Sequence, residues 1–267
     1  MARASTVPFI VCFALSYATA QTELPKSNGW TQVDVGDDRV LTVPSAATLK
    51  KGTWAVGDYQ IGLLTVSYGA LDSLQITGAM TLPVMQIGVV ATAKWRFYET
   101  SRVRLAVLGG FGLQLFYVGP DLVLTGGGGG LFADLCFSKR CKSFVSFSFR
   151  VLGGYLGGVR ENADDIGSGS AIGFMPGIGT AISVHRKVKA LMELQWASMK
   201  VLDPEPSKIG SLLIFNYGIR LHGNEFAADI GFTRPIVAFV GTNPESVEEV
   251  MKYLPLGYPL LAFTYQW

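Results

Sequence analysis

Val145-Ser146-Phe147-Ser148-Phe149-Arg150-Val151 alternates without interruption between apolar and polar side chains. Successive side chains of an extended strand point to opposite faces, so Val145, Phe147, Phe149 and Val151 share one face and Ser146, Ser148 and Arg150 the other. Wound as a helix, the same residues would set Arg150 beside Phe147 and Ser146 and leave no coherent face. The period of two recurs in Phe215, Tyr217, Ile219 and Leu221 against Asn216, Gly218, Arg220 and His222. It recurs again in Val89, Ala91, Ala93, Trp95 and Phe97 against Val90, Thr92, Lys94 and Arg96.

Working outward, the chain parses into twelve such stretches, at 53–60, 63–68, 73–82, 86–98, 103–116, 122–137, 142–157, 170–185, 190–201, 211–222, 226–237 and 257–267. Alternate connections are tight and polar, centred on Gly69–Asp72, Glu99–Arg102, Ser138–Cys141, Arg186–Lys189 and Gly223–Glu225. Most of the others are longer, with Pro83–Met85 the short exception. The composition is 49% hydrophobic and only 16% charged, against about 25% charged in average soluble domains. No stretch of the chain beyond its N-terminal twenty residues offers the roughly 18 consecutive apolar residues of a spanning helix. An apolar chain without such a helix has one other way to cross a bilayer: a closed barrel, which satisfies every backbone hydrogen bond between strands and leaves no edge. The expected fold is therefore all-β, a single antiparallel transmembrane β-barrel of about twelve strands, with ten as the alternative count. A net charge of +2 with scattered basic residues does not point to nucleic acid.

The ends carry two further signals. Arg3 precedes an apolar core at Val7–Leu15, and Ala18 and Ala20 give the small-x-small pattern of a signal-peptidase site. Residues 1–20 are expected to be a signal peptide cleaved after Ala20, residues 21–50 a periplasmic N-terminal arm or a plug entering from below, and residues 51–267 the barrel. At the other end, Leu261, Phe263, Tyr265 and Trp267 alternate with Ala262, Thr264 and Gln266, and the chain stops on the aromatic residue. This resembles the last strand of bacterial outer-membrane β-barrel proteins. The resemblance implies that Phe263, Tyr265 and Trp267 form a signal read by the barrel-assembly machinery. It also implies a Gram-negative outer-membrane location among outer-membrane lipid, with both termini periplasmic. The run Tyr68-Gly69-Ala70-Leu71-Asp72 likewise resembles a turn found in uncharacterised barrels of this kind.

On this register Lys94, Arg96, Arg104, Arg150 and Arg220 face the lumen, with Asp134, Glu193 and Asp229 opposing them. Rings of charge select solutes in pores. The same charges, paired with one another, would instead plug the barrel. A narrow passive channel for small polar solutes with a weak anion preference is one expectation. A closed structural or surface-binding barrel is the other, and a lipid-modifying enzyme is a remote third. Catalysis is not expected: His185 and His222, the two histidines, lack a serine at the spacing of known outer-membrane lipid hydrolases. No cofactor or metal is expected. Cys136 and Cys141 bracket a short turn and are placed for a disulfide in an oxidising compartment, with two free thiols as the alternative. Gly126–Gly130 lacks the Lys and Ser/Thr of a phosphate loop and reads as strand without side chains, leaving room inside that half of the barrel. Asn243–Leu254 carries the start and stop signals of a loop helix.

Overall fold

The computed structural model describes residues 35–59, 63–81, 86–116, 122–138, 141–158, 169–202, 210–239 and 256–267. The signal-peptide reading of residues 1–20, with Ala18 and Ala20, and the helix expected at Asn243–Leu254 lie outside them.

Twelve strands follow one another: β1 (Trp54–Tyr59), β2 (Leu63–Leu71), β3 (Leu74–Thr81), β4 (Gln86–Glu99), β5 (Val103–Phe116), β6 (Leu122–Cys136), β7 (Phe144–Gly158), β8 (Gly169–His185), β9 (Val188–Val201), β10 (Gly210–His222), β11 (Phe226–Phe239) and β12 (Tyr258–Gln266). Each pairs antiparallel with its sequence neighbour, and β1 pairs with β12 from Ala55↔Gln266 to Tyr59↔Ala262. The sheet is thereby a closed barrel. Closure also decides the strand count in favour of twelve, because the short first strand is paired on both edges.

The alternation in the sequence is the alternation of the wall. In β7, Ser146, Ser148 and Arg150 are buried inside while Phe147 and Phe149 stand exposed outside. The outer surface is apolar, with Val66, Ile76, Leu131, Ile178, Met192, Ile219 and Ile230 exposed around it. Trp54, Trp95, Phe97, Phe137, Phe226, Tyr265 and Trp267 gather on the outside near the end that carries the five tight turns.

Two local features differ from the expectation. Gly69 belongs to β2, and the reversal falls at Asp72–Ser73. Gly69 is glycine because of close approach: a Cβ there would stand 1.8 Å from the Lys50 carbonyl oxygen. The glycine run in β6 presents Gly126, Gly128 and Gly130 inward, where a neighbouring strand closes over them. A Cβ on Gly128 would meet the Val151 carbonyl at 2.4 Å and Leu152 Cδ2 at 2.7 Å. These positions are small because adjacent strands approach there, so room in the lumen is not what they provide.

Cys136 and Cys141 are joined as a disulfide across the β6–β7 turn, with Cα atoms 4.7 Å apart. Both pack inside the barrel with Val40, Leu41, Phe144, Ala181 and Leu191.

Glycine pairs tighten the wall elsewhere, and Gly218↔Gly231 between β10 and β11 is the closest case. A Cβ at Gly218 would lie 2.5 Å from the Ile230 carbonyl oxygen and 2.7 Å from Gly231 Cα. Gly218→Val is expected to destabilise the barrel by about 1–3 kcal/mol, the usual cost of overpacking. Gly78→Val, where nothing lies within 4 Å, should not. Urea unfolding followed by gel mobility compares the two.

Candidate functional site: a strip of chain held in the lumen

Residues 35–49 are buried, and they lie inside the barrel. Apart from one isolated bridge, Arg39↔Pro44, they form no regular structure. A buried peptide group without secondary structure needs a partner for its N–H and C=O, since leaving it unpaired costs about as much as a lost hydrogen bond. Three amides find carbonyls within the strip, Arg39 N–H to Gly36 O, Val40 N–H to Val43 O and Ser45 N–H to Asp38 O, and the inward side chains of the wall partner others.

Glu193 on β9 is the centre. Its Oε1 accepts the backbone N–H groups of Leu41 (2.5 Å), Thr42 (2.6 Å) and Val43 (2.7 Å). Its Oε2 accepts Thr42 Oγ1 at 2.8 Å and Asn216 Nδ2 at 2.8 Å. Gln195 reinforces the arrangement by donating from Nε2 to Thr42 Oγ1. Hydrogen bonds to an ionised acceptor are about twice as strong as neutral ones, and one carboxylate here serves three successive amides.

Arg220 on β10 does the complementary work on carbonyls. Its guanidinium donates to the carbonyl oxygens of Gly36, Arg39 and Val40. It is held by Asp229 on β11 through a two-pronged pair, Nε to Oδ1 at 2.6 Å and Nη2 to Oδ2 at 2.8 Å. Arg39 of the strip reaches the same Asp229 Oδ2 at 2.9 Å, and Lys189 Nζ pairs with Asp37. Further along, Asp134 accepts Ala46 N at 3.0 Å on both carboxylate oxygens. Lys94 Nζ donates to Ser45 O at 3.3 Å, Ser146 Oγ to Pro44 O at 3.2 Å, and Gln75 Oε1 accepts Leu49 N at 3.1 Å.

Shape matches chemistry. On β8, a Cβ at Gly179 would meet Val40 Cγ2 at 2.9 Å and one at Gly177 would meet Val43 Cγ2 at 3.4 Å. Glycine at these inward positions leaves space for the valines. Ala46 packs with Ala106, Leu108 and Phe132, and Leu49 with Ala55.

Seven of the eight charged lumen candidates are thus buried inside the barrel: Lys94, Arg104, Asp134, Arg150, Glu193, Arg220 and Asp229. Five of them, Lys94, Asp134, Glu193, Arg220 and Asp229, bind the strip directly. Arg104 pairs outward with Glu99 at 3.3 Å. Arg96 departs from the set. It lies at a register shift in β4, half-buried at the rim, donating to Asp72 O at 2.7 Å and pairing with Glu99 at 3.2 Å. Of the two placements open for residues 21–50, residues 35–49 take the one inside the barrel, so an external arm does not describe them. Gln75, Lys189, Gln195 and Asn216 belong to the same inner face. Their alternation with apolar neighbours was the only sequence signal they carried.

Asp38 in the strip is buried, and its carboxylate oxygens accept no hydrogen bond among the described residues. Burial pushes its carboxyl above the usual range; Arg39, Lys94 and Arg220 pull it back, and Asp37 pushes it further up.

No protein-family model and no curated protein sequence matches the chain. Among solved structures it is similar to outer-membrane expressed OmpT of Vibrio cholerae, at 10% identity and TM-score 0.40, covering 77% of this chain and 64% of that one. It is similar to CdiB from Acinetobacter baumannii at 10% identity and TM-score 0.34, covering 80% of this chain and 59% of that one. An in-vitro folded OmpT of Vibrio cholerae gives 9% identity and TM-score 0.32 over 80% of this chain and 95% of that one. The chain thus spans less than two thirds of the first two. The barrel assignment rests on the closed strand register.

Two variants probe the strip. Glu193→Ala leaves three buried amides without their acceptor and should loosen residues 41–43 by roughly 3 kcal/mol or more. Amide hydrogen exchange should then speed up at those residues ahead of the wall strands. For Asp38, a folded-state value raised above the ordinary 3.8 means that the bound proton favours the folded state. That contribution is complete below the ordinary value and is lost as pH rises through the raised one. Asp38→Asn should therefore raise the unfolding temperature at neutral pH, and its advantage should vanish in acid below pH 3.8.

Proposed function

We propose that the protein is a bacterial outer-membrane barrel that is closed at rest by its own residues 35–49. Membrane insertion is supported by the apolar outer surface and by the aromatic residues gathered at one end of it, since outer-membrane barrels carry an apolar band about 25 Å tall flanked by aromatic girdles. The tight-turn end is the periplasmic one, because periplasmic turns are the short ones. The strip then closes the barrel from the periplasmic side, and the lumen toward the longer connections faces outward.

The observation that carries the closed state is the use of the wall charges. Glu193, Arg220, Asp229, Asp134 and Lys94 hydrogen-bond to residues 36–46. Groups so engaged are not a bare constriction for passing ions. The narrow, anion-leaning passage expected from five basic and three acidic residues belongs, in this reading, to a state in which the strip has left. The outward lumen is the compartment in which a ligand would be received.

Planar-bilayer recording of the refolded protein tests this. The wild type should be silent or show rare, brief openings. Glu193→Ala and Asp229→Ala should open for longer, with a reversal potential leaning toward anions. Steady steps from the wild type, unchanged in either variant, would sink the closed reading.

A further inference from the structure

The inner wall is divided into two chemical zones, and Arg150 stands at the boundary. Toward the tight-turn end lie the ion pairs and the strip. Beyond Arg150, no described inward position carries a charged side chain. The inner face there is made by residues such as Leu152, Met175, Ala197 and Met199, which pack together, and Leu63, Ala79, Val90 and Ala262 on the opposite wall.

Arg150 is 3% exposed. It donates from Nη2 to the neutral Gln195 Oε1 at 2.5 Å, while Nε and Nη1 have no hydrogen-bond partner. No carboxylate lies within ion-pairing distance of it among the described residues. Glu193, whose negative charge acts on it, is occupied by the strip's amides. A buried cation is retained when it is paired, and among the described residues no hydrogen bond joins the strip to Arg150. Gly130 fixes its direction: a Cβ there would lie 2.8 Å from Arg150 Cγ, so the stem of Arg150 lies flat against β6 and the guanidinium is carried inward.

We infer that Arg150 is the head-group anchor of a binding site for a single-chain amphiphile with an anionic head, its apolar chain lying against Leu152, Met175, Ala197 and Met199. A guanidinium fork takes a carboxylate or a phosphate through two parallel N–H donors, and each forked edge of Arg150, Nε with Nη2 and Nη1 with Nη2, keeps an unpartnered donor beside the nitrogen that bonds to Gln195. Two of the four wall residues are methionines, whose unbranched side chains repack to admit a ligand. Entry is from the long-connection end, because the strip closes the other. The inference rests on the closed reading for this direction of entry, while the anchor itself depends only on the wall.

The test uses the full mature chain in lipid nanodiscs, titrated calorimetrically with octanoate and octyl phosphate, with empty nanodiscs as background. Saturable binding of one equivalent is expected for at least one of them, and the stronger of the two identifies the head group. Arg150→Met should weaken it by roughly tenfold or more, the worth of a charge-assisted hydrogen bond, while Arg150→Lys should retain part of it. Met199→Glu, which leaves Arg150 in place, should weaken octanoate, octyl phosphate and octanol alike, because it sets a charge against the apolar chain. The proposal is overturned by octanoate and octyl phosphate that bind no better to the wild type than to Arg150→Met and Met199→Glu. It is overturned equally by acetate binding as tightly as octanoate, which would make the site one for small anions, or by no saturable binding at all. A conducting wild type would remove the closed reading and leave these titrations standing by themselves.

Discussion

One carboxylate facing three consecutive backbone amides sets the terms for the rest of this molecule. Glu193 lies on a wall strand, and Leu41, Thr42 and Val43 belong to a strip with almost no regular structure. A strip of that kind can occupy a barrel only if its peptide groups are satisfied, and beyond three backbone bonds of its own it draws on the wall. Glu193 answers for the donors and Arg220 for the acceptors. Because Arg220 is gripped by Asp229, the acceptor side is rigid as well. The glycines of β8 and the disulfide-bonded cluster around Val40 shape the wall to the same strip.

Much of the wall could be read in the sequence. Alternation placed Phe147 outside and Arg150 inside without reference to any other strand, because pleating is local and its period is two. Tight connections at every second reversal gave the barrel its parity. The lumen-facing charges followed from the same register, and Arg96 departs from it where a register shift near Tyr98 turns the end of β4. The partners of those charges were beyond reach. Residues 35–49 show no periodicity, since their hydrogen bonds to the wall run to side chains about 26 to 190 positions away. Gly69 illustrates the same limit. Glycine followed by aspartate reads as a turn, whereas here the glycine admits the Lys50 carbonyl of the strip's end.

The division of the lumen follows from where the strip stops. Polar wall residues are useful beside peptide groups that need partners, and costly elsewhere unless water reaches them. Below Arg150 the wall is accordingly rich in Asp, Glu, Arg, Lys, Gln and Asn. Above it, the wall changes to Leu, Met, Ala, Thr and Gly. Arg150 has the chemistry of the lower zone and the surroundings of the upper one, which is why it stands out from the other basic residues.

The seam between β1 and β12 joins the first strand to the last, Ala55 to Gln266. Contacts so distant in sequence are slow to form, because the entropy of closing the intervening chain is lost before they reward it. The strip precedes β1 directly and touches β3, β4, β6, β7, β9, β10 and β11 from within. It can therefore serve as a mandrel, around which hairpins made in chain order are rolled into a cylinder before the seam is zipped. In such a sequence of events the segment that lies inside the finished barrel is also the one that gathers its staves.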